Sequence, residues 1–207
     1  VPGRSRLVEQ RADADVYDNG DGTKTAEVST SPINFQDAAG AWHRIDNTLS
    51  NASGKIRNAA GPVAVELAPT TASSGFGKVA VGKNAVSFDV SGLRPGITGT
   101  VNGFTITYAD ALDSTDLRYE LNGSQLKEVF VLKGRPASAP TYHFDLSLDG
   151  LHGITKSDGS IAFADAKNVD AITVPQGSMI DSAVGAAPVP VKVTLSSNGK
   201  GVDITPD

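Results

Sequence analysis

The sequence predicts an all-β protein, an antiparallel β-sandwich built either as one extended sandwich or as two packed sandwiches. Three observations favour this class: apolar and polar residues alternate with a period of two, turn-forming pairs recur at short intervals, and long helical patterns are scarce. Short strands without intervening helices pair antiparallel, because parallel pairing needs long crossover connections. The 207 residues suffice for one large β domain or two small ones.

Four segments alternate apolar with polar side chains, as strands do when one face is buried and the other faces water. These segments are 86–90, 104–108, 142–149 and 189–195. The segment from Leu126 to Leu132 differs, because it is continuously apolar from Val129 onward. Such a run predicts a central strand that is covered on both faces.

Turns are predicted at pairs that supply a positive φ. The pairs and their neighbours are Asn19-Gly20, Asp21-Gly22, Gly82-Lys83-Asn84, Asn102-Gly103, Asn122-Gly123, Asp149-Gly150, Asp158-Gly159 and Asn198-Gly199. Between Val101 and Phe104 the pair Asn102-Gly103 predicts a two-residue type I′ hairpin. Only 37–40 and 165–168 leave room for a single helical turn.

The segment 133–140, KGRPASAP, interrupts two strongly patterned strands with two prolines and several small residues. We interpret it as either a linker or a long loop. The sequence accordingly predicts an N-terminal β-sandwich over residues 1–132. Residues 141–207 are predicted to form a C-terminal β segment. This segment either completes the same sandwich or forms a second one.

Charge and composition limit the classes of partner. A net charge of -5 without a basic face disfavours nucleic acid, whose phosphates need one. No apolar run approaches the roughly 18 residues of a membrane span, so we expect no membrane insertion. The absence of cysteine excludes disulfides, thiolate metal sites and cysteine nucleophiles.

The stretch from Tyr17 to Trp42 is rich in carboxylates and raises the question of a calcium loop. With Gly22 as the glycine of such a loop, the first ligand position falls on Tyr17 and the twelfth, which needs a Glu, on Val28. We therefore interpret the carboxylates as turn residues and predict no metal ligand, while a non-standard calcium site built by several loops stays open.

The same stretch predicts two successive hairpins. Residues 19–22 reverse the first and residues 37–40 the second. The second reversal is expected to bring Trp42 beside Phe35.

Catalytic motifs are sparse, and we predict no catalytic and no cofactor-binding residue. The three histidines, His43, His143 and His152, form no HExxH pair, so a zinc site would need ligands from distant strands. No G-x-S-x-G elbow occurs. Four carboxylates cluster in YADALDSTDLRYE and fit either an acid/base pair or local turns; these are Asp110, Asp113, Asp116 and Glu120.

Trp42 and His43 are the candidate ligand contacts. Trp42 is the one tryptophan of the chain, and as a sugar-stacking platform it would suit a carbohydrate-binding module; packing in the core or at its rim is the alternative. The Lys and Asn residues of this cysteine-free chain also allow an intramolecular isopeptide crosslink. The sequence does not select a particular Lys-Asn pair.

Several phrases together resemble a known family. They are NGDGT at 19–23, SPINF at 31–35, DAAGAWHRIDNTL at 37–49, TDLRY at 115–119, LKEVFVL at 126–132 and SMIDS at 178–182. This order resembles the N-terminal β-rich region of large exported actinobacterial proteins, which include Rhs/YD-repeat polymorphic toxins, wall-associated-protein relatives and DNRLRE-domain proteins. The shared motifs are strand and turn phrases, so no catalytic residue is carried over.

The resemblance implies a non-catalytic structural or scaffold module of a secreted or cell-surface bacterial protein. Its partner would be the remainder of a larger precursor, with repeats or a shell downstream and an effector at the far end. One alternative is an adhesion module that binds glycan or cell wall. Another is a glycosidase or protease domain with its site between two sandwiches.

Overall fold

The computed structural model describes residues 6–72 and 74–206. The protein is all-β, with 58% of residues in strands and no helix within the described part, which confirms the predicted fold class. The strands, in chain order, are β1 (Arg6–Arg11), β2 (Ala14–Asp18), β3 (Lys24–Val28), β4 (Asn34–Gln36), β5 (Trp42–Arg44), β6 (Asp46–Ala52), β7 (Lys55–Ala60), β8 (Ala64–Leu67), β9 (Gly77–Val81), β10 (Asn84–Val90), β11 (Thr100–Asn102), β12 (Thr105–Leu112), β13 (Thr115–Asn122), β14 (Gln125–Leu132), β15 (Tyr142–Asp149), β16 (His152–Thr155), β17 (Ile161–Ala164), β18 (Asp170–Val174), β19 (Gly177–Met179), β20 (Val189–Leu195) and β21 (Gly201–Pro206).

The largest sheet of the molecule is antiparallel and has nine strands. Its strand order is β19-β20-β21-β15-β10-β9-β8-β7-β6. Residues 133–140 connect β14 to β15, and strands from both sides of this connection share the sheet. β15 alternates as predicted, with Tyr142 and Phe144 buried and Asp145 exposed.

A four-stranded sheet, β11-β12-β13-β14, and a three-stranded sheet, β16-β17-β18, accompany the large sheet. All three contribute to one hydrophobic core, which contains Phe163 of β17 as well as aromatic residues of the two larger sheets. The ring centroids of Phe88 and Tyr119 are 5.9 Å apart, and those of Phe130 and Tyr142 are stacked at 3.7 Å. Aromatic contacts of this kind join the sheets as in a β-sandwich.

The prediction that 126–132 is a central strand was wrong. β14 is the edge of the four-stranded sheet, and 37% of the Val131 side chain is exposed. The inward positions of β14, including Leu126 and Phe130, pack against the core. The outward valines therefore reflect the β propensity of branched residues and not burial on a second face.

The hairpin between β11 and β12 is also shifted by one residue from its prediction. Asn102 pairs with Thr105, so Gly103 and Phe104 are the central residues of the turn. Gly103 has a φ of 59° and Phe104 has no positive φ, which is the pattern of a type II′ turn and not of type I′. Phe104 consequently leaves the predicted strand, and 57% of it is exposed.

Residues 6–45 form what we call the N-terminal lobe, in which the sheet β1-β2-β3 lies beside the hairpin β4-β5. The amide N–H groups of Ile33 and Asn34 both donate to the carbonyl of Ala12, which ties the two parts together. In the hairpin, Gln36 pairs with Trp42, whereas Phe35 pairs with His43. The predicted neighbour of Trp42 was therefore wrong by one residue.

Gly77 offers a sharp test of this packing. A Cβ atom at Gly77 would lie 2.2 Å from Cζ of Phe88, the cross-strand partner whose ring covers this position. We expect Gly77→Ala to lower the free energy of unfolding by about 2 kcal/mol, because the displaced ring is part of the aromatic core. Gly134→Ala is the matched control, since a Cβ there meets no atom within 4 Å. Urea titration of both variants provides the measurement, and equal midpoints would contradict the packing described here.

Candidate functional site

The carboxylates of the first turn accept hydrogen bonds from the turn itself. The Gly20 N–H donates to Asp18 Oδ1 at 2.9 Å, and the N–H and hydroxyl of Thr23 donate to Asp21 Oδ1 at 2.9 and 2.6 Å. The Thr23 hydroxyl is the main reason that the pKa of Asp21 is lowered. Across residues 6–72 and 74–206, no group of three or more His, Asp or Glu side chains is arranged to hold a metal ion.

Trp42 and His43, the two predicted ligand contacts, follow a turn that Asp37 organises. Asp37 Oδ1 accepts the N–H groups of Ala39 and Ala41, each at 2.9 Å, and Asp37 Oδ2 lies 2.9 Å from His43 Nε2. The hydrogen bond with His43 is the largest cause of the lowered pKa of Asp37. Adjacent residues of β5 face opposite sides, so one flat ligand surface would use Trp42 or His43 but not both. Ligand contact at either residue stays a prediction.

A buried polar cluster in the N-terminal lobe was not predicted. The side chains of Asp15 and Asn34 are both about 2% exposed, and Asn34 Nδ2 donates to Asp15 Oδ1 at 2.7 Å. Arg44 forms an ion pair with Asp15 through one nitrogen and with Glu27 Oε1 through the other, the latter at 3.0 Å. Hydrogen bonds from Arg44 to Glu27 and then to Asp15 raise the pKa of Arg44. We call Asp15, Asn34, Arg44 and Glu27 the lobe network.

The four carboxylates predicted as an acid/base pair or as turn residues are distributed among ion pairs. Lys133 Nζ lies 2.7 Å from Asp110 Oδ1 and 2.9 Å from Asp116 Oδ1. These contacts raise the pKa of Lys133 and lower that of Asp116. The other two carboxylates are engaged separately, Asp113 with Arg94 at 3.1 Å and Glu120 with Arg118 at 2.9 Å.

His143 joins β15 to β21 on the outer face of the nine-stranded sheet. Its Nδ1 lies 2.6 Å from Asp203 Oδ1, and its Nε2 lies 3.3 Å from Asp145 Oδ1. The bond with Asp203 is the main cause of the raised pKa of His143. Gly201 provides room for the imidazole, because a Cβ there would lie 3.0 Å from its Cε1. His143 therefore lies opposite the buried face of β15 and forms a cross-strand ion pair with Asp203.

Glu128 has a carboxyl whose pKa is strongly raised. It is partly buried on β14, directly opposite Tyr119, whose hydroxyl donates a short hydrogen bond to Glu128 Oε1. Burial raises the pKa of Glu128 to about 8 against the opposing effect of the Tyr119 hydrogen bond. Burial likewise raises the pKa of Tyr119. Glu128 is therefore largely protonated near neutral pH, a state that the alternation of charged and apolar residues in β14 did not predict.

An open cleft of about 440 Å³ lies at the end of β15. It is lined by residues 146–148, 151–153 and 197–200 and is called the β15 cleft below. Its apolar side chains are Leu146, Leu148 and Leu151, and its cationic side chain is Lys200. Among the described residues that line it, none is Asp or Glu. Of these lining residues, only His152 had been considered from the sequence as a chemical group.

Comparisons with family models, curated proteins and solved structures gave no match to this chain. The resemblance to exported actinobacterial proteins therefore stays a prediction. The described residues also contain no helix long and apolar enough to cross a membrane.

Proposed function

We propose that the chain is a structural module of a larger secreted or cell-surface bacterial protein. The observation that carries this proposal is the continuous nine-stranded sheet, which joins β6 to β10, from before residues 133–140, to β15, β19, β20 and β21, from after them, in a single hydrogen-bonded layer. This layer shares one core with the four-stranded sheet, so strands from before and after residues 133–140 are held by the same packing. A module of this kind can position whatever is attached to it.

The engagement of polar side chains agrees with this role. The ionisable residues singled out above bond to turns or bridge neighbouring strands, as His143 does between β15 and β21 and Lys133 does between β12 and β13. Interactions of this kind fix register and strand order. The sequence resemblance adds the expectation that the attached parts belong to an exported protein.

The test is an activity and unfolding study of the chain. We expect residues 46–206 to unfold in a single cooperative transition, with coincident midpoints by far-UV circular dichroism and tyrosine fluorescence. We also expect no turnover of glycoside, ester or peptide substrates. Glu128→Gln serves as the matched variant, because Glu128 has the protonated carboxyl that a general acid would need. Turnover by the parent that this variant loses would overturn the structural proposal and favour the enzyme alternative.

A further inference from the structure

The β15 cleft is bordered by the last residues of β15, which beyond Leu146 pair with β10 and have no strand partner on the β21 side among the described residues. The Ser91 N–H donates to the carbonyl of His143, and the Leu146 N–H donates to the carbonyl of Lys200, both at 2.9 Å. Backbone groups of an antiparallel strand alternate between its two neighbours, so odd-numbered residues of β15 face β10 and even-numbered residues face β21. The ladder with β21 ends at Asp145, and the N–H and C=O of Leu148 therefore point into the cleft.

A second strand edge borders the same cleft. β16 is the edge strand of the sheet β16-β17-β18. The Lys156 N–H donates to the carbonyl of Ser160 at 2.8 Å, which sets the alternation of the ladder between β16 and β17. By that alternation the N–H and C=O of Gly153 point away from β17. Two strand edges with outward backbone groups thus border one cavity, the arrangement that an extended peptide can satisfy.

The side chains of the cleft specify the chemistry of its occupant. Leu146, Leu148 and Leu151 pack against the hydrophobic core, and the part of each that stays exposed lines the cleft. Lys200 is exposed, and its ammonium has no ion-pair partner among the described residues, although the chain as a whole carries a charge of -5. Lys200 is the lysine that lines the cleft, and it provides the cationic group for an occupant.

We propose that the β15 cleft binds an extended peptide segment of a partner protein, in which an apolar and a carboxylate side chain are two positions apart. Side chains at i and i+2 of an extended segment face the same way. The apolar side chain then lies on the leucines while the carboxylate pairs with Lys200. Backbone hydrogen bonds to Leu148 and Gly153 hold the segment in register. This binding role goes beyond the structural proposal and does not depend on it.

The test is a titration of the ¹⁵N-labelled chain with the peptide acetyl-Thr-Val-Thr-Glu-amide, observed by two-dimensional NMR. We expect saturable shifts of the Leu148 and Gly153 amide signals, with a Kd of roughly 0.1 to 1 mM for so short a ligand. The same peptide with Gln in place of Glu is expected to bind about tenfold more weakly. Shifts that do not saturate by about 5 mM, or equal binding of the Gln peptide, would overturn the proposal.

Two charge-reversal variants complete the test. Lys200→Glu is expected to weaken binding of the Glu peptide about tenfold or more, because attraction becomes repulsion. Lys192→Glu makes the same change in net charge at an exposed position of β20 outside the cleft. It is expected to bind within about twofold of the parent. Equal losses in both variants would contradict a specific site and leave only a general effect of charge.

Discussion

Replacing Glu128 with Gln is expected to remove most of the loss of stability that the parent protein undergoes between pH 5 and pH 8.5. The pKa of this carboxyl is raised from 4.5 to about 8 in the folded state. Between these values the folded protein keeps a proton that the unfolded chain releases, so each increase in pH favours unfolding. The stabilisation is complete below pH 4.5 and is lost as the pH rises through about 8. A shift of this size corresponds to roughly 5 kcal/mol.

The Glu128→Gln variant isolates this effect. Its side-chain amide would be a neutral acceptor for the Tyr119 hydroxyl at every pH, so the variant should nearly match the parent near pH 4.5 and exceed it by roughly 4 to 5 kcal/mol at pH 8.5. His143 has a raised pKa as well, and its contribution is lost in the same direction as the pH rises. Because parent and variant both contain His143, its contribution cancels in the difference between their free energies of unfolding.

Urea unfolding at a series of pH values provides the measurement, and ¹³C NMR of the Glu128 carboxyl provides an independent pKa. Parallel pH profiles of parent and variant would contradict the raised pKa. A Glu128 carboxyl that titrates near 4.5 in the folded state would also contradict the raised pKa. Glu120→Gln is the control, because Glu120 is paired with Arg118 on the other face of the sheet and its loss should not reproduce the effect.

The strands could be predicted because their signals are local. Alternation within 142–149 needs only neighbouring residues, and it is the same alternation that places Tyr142 and Phe144 in the core. The position of a strand within its sheet depends on distant segments. β14 is therefore an edge although its valines resemble those of a central strand, because branched residues favour strands at either position.

The sites could not be predicted for the same reason. The side chains of Asp15 and Asn34 are 19 positions apart in the chain, and those of Asp15 and Arg44 are 29 apart. Glu128 gains its raised pKa from burial between sheets and not from its sequence neighbours. Turn carboxylates such as Asp21 were interpreted from sequence, since their hydrogen-bond partners lie two residues away.

The second large effect is expected when the lobe network is broken. The loss of stability should be confined to residues 6–45. Among the described residues of the N-terminal lobe, Ala14 is the one buried apolar residue, at 8% exposure, and the main core begins at Leu49. With so little apolar burial, the lobe depends on the hydrogen bonds and ion pairs of Asp15. Removing one partner of a buried ion pair leaves the other groups unsatisfied.

We expect Asp15→Ala to destabilise the lobe by about 2 to 3 kcal/mol, less than a fully buried pair would lose because Arg44 is 46% exposed and can be hydrated. Trp42 lies in the lobe, so its fluorescence reports the change directly. In the variant the fluorescence transition should move to lower urea and separate from the circular dichroism transition of the core. Asp18→Ala, which removes only a turn carboxylate, should shift it by about 0.5 kcal/mol.

Asp15→Asn separates the charge from the hydrogen bonds. An amide at position 15 can still accept from Asn34 Nδ2, but it cannot pair with the Arg44 guanidinium. A loss near that of Asp15→Ala would assign most of the energy to the ion pair, and a small loss would assign it to the hydrogen bonds. If the Trp42 transition of Asp15→Ala stays coincident with that of the core, the lobe is held by its junction with β6 and the network is not its main support.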